Sequence, residues 1–65
     1  MKQIELRRTP SGWTATMLRD GQPDPEIVGL FGTATLPTAY TAMATRDEVL
    51  RAVSNQNRDA AIWIV

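Results

Sequence analysis

Sixty-five residues make one small domain, and a domain of that size buries only about 60% of its extended-chain surface, so its stability calls for a supplement. The chain has no cysteine and no histidine, which excludes disulfides, thiolate nucleophiles, Cys/His zinc sites and imidazole acid–base catalysis and leaves self-association as that supplement. Seven basic and seven acidic residues give zero formal charge, so the whole-chain field that draws in nucleic acid or an anionic membrane is missing.

From the start of the chain, Lys2 to Thr9 alternates, with Ile4 and Leu6 on one side and Glu5 and Arg7 on the other, and Trp13 to Leu18 is also strand-like. Thr9-Pro10-Ser11-Gly12 between them has the proline and glycine positions of a type I turn, so the two segments form a hairpin. Two registers are open. A four-residue loop pairs Leu6 with Ala15 and Ile4 with Met17, and a glycine bulge pairs Leu6 with Thr16 and Ile4 with Leu18. The first is preferred because it groups Ile4, Leu6, Trp13, Ala15 and Met17 on one side.

Charge is unevenly spread along this half. Lys2, Arg7, Arg8 and Arg19 stand against Glu5 alone, whereas Asp20, Asp24 and Glu26 follow with no basic residue among positions 20–32. A basic hairpin beside an acidic loop is expected to neutralise it or to be solvated. Arg19 to Pro25 reads as a turn-rich linker. Asp24 can then cap, and Pro25 can open, a short helical segment with Ile27, Val28, Leu30 and Phe31, ended by Gly32. A single turn is expected there instead of a full helix.

Thr33 to Ala44 is rich in threonine and alanine around Pro37, which predicts extended chain with a third strand over Tyr40–Ala44. Thr45 and Glu48 have the Thr-x-x-Glu spacing of a capping box, and Asp47 and Glu48 put negative charge at the positive end of a helix dipole. A helix is therefore predicted from about Arg46 to Gln56, with Val49, Leu50 and Val53 as its apolar stripe and Asn57 as a left-handed cap. Ala60 to Val65 is a last strand, apolar on both parities, which predicts an interior strand or one at a subunit contact.

The order β-β-β-α-β gives an α+β class: a small antiparallel-rich sheet of three to four strands with one helix on one face. One helix covers one face, so the other is expected to carry whichever of Trp13, Trp63, Tyr40 and Met43 point away from it, and an exposed apolar patch marks a contact surface. No base is placed to activate any of the threonine or serine hydroxyls, and the Asp20, Asp24 and Glu26 cluster lacks a calcium-loop pattern. Neither an enzyme nor a cofactor or metal is expected. No apolar run approaches the ~20 residues of a membrane span, and Arg7-Arg8 leads into polar residues instead of a signal-peptide core, so the expectation is a soluble cytoplasmic protein without a membrane partner.

Gly12-Trp13-Thr14-Ala15, followed by Leu36-Pro37, Thr41, Thr45 and Glu48, resembles the pattern of HicB-type antitoxins. In that family a hairpin carries Gly-aromatic-x-Ala, and the third strand and helix carry Leu-Pro-Gly, a Thr and Gly-Asp-Thr-x-Glu-Glu-Ala. The resemblance implies a partly reduced RNase H-like fold, β-β-β-α-β, and an antitoxin that blocks a small toxin nuclease. Thr38 stands where the family has glycine, Met43-Ala44 replaces Gly-Asp, the linker from Arg19 to Thr35 is longer, and there is no counterpart of the family's DNA-binding module.

Three functions thus follow from the sequence. The leading one is a non-enzymatic protein-interaction module, a homodimer working through a strand edge or a tryptophan-bearing sheet face, with Trp13, Tyr40, Trp63, Arg7 and Arg8 as its candidate contact residues. The second is the antitoxin-like partner. The third is weak nucleic-acid binding through the Arg7/Arg8 hairpin beside Trp13, where guanidinium groups meet phosphate and an indole stacks on a base.

Overall fold

A computed structural model describes residues 1–65, the whole chain. β1 (Lys2–Thr9) and β2 (Gly12–Arg19) form an antiparallel hairpin closed by Pro10-Ser11. Leu6 lies opposite Ala15 and Ile4 opposite Met17, the first of the two registers. Gly12 holds the turn open: its φ is +140°, and a Cβ there would come within 2.8 Å of the Tyr40 carbonyl oxygen, a distance no side chain tolerates next to backbone.

β2 turns again through Asp20 and Gly21, whose φ values of 53° and 80° are both positive, the geometry whose twist suits a two-residue hairpin. The result is β3 (Gln22–Pro23), paired to Leu18 and Arg19, where the sequence had suggested only a linker. Asp24 then accepts a hydrogen bond from the Glu26 N–H (3.0 Å) and caps α1 (Pro25–Phe31), which ends at Gly32 in the left-handed conformation. α1 is thus seven residues long, not the single turn expected. A second helix and five strands in place of three to four correct the finer architecture; the α+β class stands.

The third long-range strand is also displaced. β4 (Thr35–Pro37) pairs antiparallel with β2, Leu36 opposite Ala15, whereas Tyr40–Ala44 is irregular. The threonines explain this. Thr33, Thr38 and Thr41 each accept on Oγ1 from the N–H two residues ahead, at 3.2, 3.2 and 3.3 Å, and such local bonds compete with a ladder. Residues 38–40 still follow β2 loosely: Thr38 donates to the Trp13 carbonyl through both N–H (3.0 Å) and Oγ1 (2.8 Å), and the Trp13 N–H donates to Tyr40 O (3.1 Å).

α2 (Arg46–Gln56) begins with the capping box, Glu48 N–H donating to Thr45 Oγ1 (3.2 Å) and Thr45 N–H to Glu48 Oε1 (3.3 Å). Asn57 closes it with its side chain and not as a left-handed residue: φ is −136°, and Nδ2 donates to Val53 O (3.0 Å). β5 (Ala60–Ile64) then lies parallel to β1 at the edge of the sheet, order β3-β2-β1-β5 with β4 also on β2. The interior position that two-sided apolarity suggested for it is corrected: α2 packs over one face of β5 and no strand pairs with its outer edge.

The core lies between α2 and the sheet. Ile4, Leu6, Trp13, Val49 and Val53 are buried together, ringed by Ala15, Met17, Tyr40, Leu50, Ile62 and Ile64. Each of these strand residues is on the α2 side by register. Ion pairs sit at the rim: Arg19 reaches Asp24 (3.4 Å) and Glu26 (3.9 Å), and Lys2 reaches Asp59 (3.5 Å), so the basic hairpin and acidic loop meet through Arg19. Neither helix is long and apolar enough to cross a membrane.

Candidate interaction surface

Trp13 is not a surface residue. It is 2% exposed, its Nε1–H donates to the Ala44 carbonyl (3.1 Å), and its ring is covered by the Arg8 guanidinium, 4.8 Å from the centroid. Arg8 also donates to Ala44 O (2.8 Å). One carbonyl thus collects the indole and the guanidinium, and the pair fastens the hairpin tip to the loop that delivers α2. Tyr40 is half-buried against the core with its carbonyl engaged by Trp13. Trp13 presents no free ring to a partner, which corrects the expectation for it.

Arg7 projects from the opposite side of β1, beside Thr14. The two arginines therefore diverge, and the one that shares a face with Trp13 is spent on it. A paired Arg7/Arg8 clamp next to an indole does not exist in this fold. Met43 is 89% exposed on the loop before α2 and not on the sheet.

Trp63 is the aromatic that the uncovered sheet face does carry. It is 37% exposed, stands opposite Glu5 in the β1–β5 pairing, and donates its Nε1–H to Glu5 Oε1 (3.3 Å). The rest of that face is mixed: Gln3, Glu5 and Arg7 from β1, Thr14, Thr16 and Leu18 from β2, with Thr16 and Thr35 hydroxyls 2.9 Å apart. The apolar end of the face is the β5 end, where Val65 is 56% exposed.

Two features escaped the sequence reading. No strand pairs with the outer edge of β5, which becomes visible only once the strand order is known. α1 buries none of its residues, leaving Leu30 and Phe31 73% and 60% exposed; Ile27, Leu30 and Phe31 stand at i, i+3 and i+4, the spacing of a buried stripe, so nothing in the sequence signalled this exposure. Two clefts measure about 90 and 260 Å³, below the ~300–1,000 Å³ of ligand pockets, and a third of about 430 Å³ is lined only by Arg8, Thr45, Arg46 and Asp47. No three Asp or Glu side chains converge on one point.

The Asp20 carboxyl lies below the ordinary aspartate range, chiefly because the Met1 α-amino group donates to it at 2.7 Å and carries a positive charge. This is a turn contact remote from Trp63. Compared with known family models, with curated proteins and with solved structures, the chain matches none of them. Its surface chemistry alone carries the functional reading.

Proposed function

We propose that this protein is a small non-enzymatic cytoplasmic module that works by protein contact through the β5 edge and the adjoining Trp63 end of the open sheet face. What supports it most is a strand of alanine, isoleucine and tryptophan whose outer side meets no other strand, with the outward peptide groups of Ile62 and Ile64 unpaired. Such an edge is a template for another strand. An exposed tryptophan beside it supplies the large, rigid contact area from which interface hot spots are made. A photo-crosslinking phenylalanine analogue placed at position 63, in cells, is expected to give a protein adduct that the same analogue at the exposed Arg51 does not give. Adducts with nucleic acid, or equal adducts at both positions, reject the reading.

A second reading is the HicB-like antitoxin. In its favour, β1, β2, β4, α2 and β5 follow the β-β-β-α-β order that the resemblance implies, with β3 and α1 occupying the longer linker. Co-expression with a nuclease encoded beside this gene tests it: rescue of growth supports an antitoxin, and undiminished toxicity counts against one.

A further inference from the structure

We infer that the occupant of the β5 edge is a second copy of this chain, paired antiparallel about a two-fold axis with Trp63 opposite Trp63. This rests on the strand-edge reading above and adds the identity of the partner and the register.

The peptide groups fix the geometry. The Val65 N–H donates to Leu6 O at 2.9 Å, so the peptide groups of Ala61, Trp63 and Val65 face β1 and, by alternation along the strand, those of Ile62 and Ile64 face outward. No backbone hydrogen bond of a turn, loop or cap reaches Ile62 or Ile64, whereas the Ala60 N–H is already taken by Asn57 O at 3.1 Å. In an antiparallel pair, outward groups must oppose outward groups. A register centred on Ile62 would use Ala60 and compete with Asn57. A register centred on Trp63 sets Ile62 against Ile64 of the other copy on both sides of the axis, and so uses only free donors and acceptors.

The two edges of the sheet are treated differently. The outer side of β2 is covered by β3 and β4, each of which ends in a proline, Pro23 and Pro37, a residue that stops further pairing. β5 has no proline, glycine or charge between Ala60 and Val65, so it lacks the usual devices that keep an edge solitary. Charge also selects the occupant. Two neutral copies meet without like charges across the axis, and the half-buried Ile62 and Ile64 on the α2 side and the exposed Trp63 and Val65 on the open side each meet apolar residues of the same kind. None of the three clefts is lined by Ala61, Ile62, Trp63, Ile64 or Val65, so this part of the edge offers no side-chain pocket to read a foreign peptide. A single strand pair is a small interface, for which association in roughly the micromolar range is expected.

Sedimentation equilibrium of the full chain from about 1 μM to about 1 mM, a span that brackets this affinity, tests the inference. The wild type is expected to pass from monomer to dimer. Trp63→Lys and Trp63→Glu each set like charges opposite one another and are expected to weaken the dimer by about thirtyfold or more. An equimolar mixture of the two is expected to dimerise again, because the opposed pair is then Lys against Glu. Leu30→Lys on α1 is expected to change nothing. In the wild type, the Ile62 and Ile64 amides are expected to gain exchange protection with concentration, a readout that needs no variant. A strict monomer at the highest concentration, a dimer indifferent to Trp63→Lys, a mixture that fails to re-pair, or dissociation by Leu30→Lys overturns the inference. If the wild type is monomeric while the cross-linker at position 63 still captures a different protein, self-pairing falls and the strand-edge function stands; if it captures nothing, both fall.

Discussion

Ala44 is the residue on which the hairpin and the helix depend together, because its carbonyl accepts from both Trp13 Nε1 and Arg8. The Arg8 guanidinium lies over the buried ring but is itself exposed to solvent, so the cation–π contact belongs in the range of exposed sites. A double-mutant cycle between Arg8→Ala and Trp13→Phe is expected to give a coupling of about 1 kcal/mol in chemical denaturation; additive effects would mean that Arg8 merely lies nearby. Trp13 itself illustrates where reading the sequence stops. Its strand position and parity were available in the alternation, but its burial depends on a loop whose path is set by threonine hydroxyls far along the chain.

At the scale of the element, local chemistry governed what was legible. The start of α2 was readable because Thr45 and Glu48 solve a problem confined to one helical turn, and both predicted hydrogen bonds are present. Thr45→Ala is expected to cost about 1 kcal/mol of stability by removing one of them, measured as a shift in denaturation midpoint at unchanged slope. The hairpin register was readable for a related reason, since only one choice gathers the large apolar residues on one side. The third strand was misplaced because the Thr38 and Thr41 hydroxyls accept from N–H groups two residues ahead, local bonds that compete with a ladder, and the pattern of Tyr40–Ala44 looks the same in either case. β3 went unseen although Asp20-Gly21 is a hairpin signal, since Pro23 two residues after Gly21 argued against a strand; two residues at an edge tolerate it.

For the whole molecule, eight buried residues support a fold whose total stability, at the usual 0.05–0.15 kcal/mol per residue, is only about 3–10 kcal/mol. Leu6 is completely buried at the centre of the α2-facing cluster. Leu6→Ala is expected to cost about 2–5 kcal/mol, a large part of that total, and so to leave a substantial unfolded fraction at room temperature by circular dichroism. The same scarcity of core gives the proposed second copy its value, since dimerisation would stabilise the folded state by mass action. The location of the proposed contact surface was half legible. Trp63 was a candidate from the outset, but two-sided apolarity in β5 fits an interior strand as well as an edge, and only the strand order separates them.

The parallel pairing of β1 with β5 joins Glu5 to Trp63 across 58 positions of sequence. During synthesis the β1–β2 hairpin therefore emerges well before β5, with one flank vacant. Until β5 arrives, β1 is itself a bare template, open to the wrong strand. The arrival of β5 decides when the nascent hairpin stops being vulnerable.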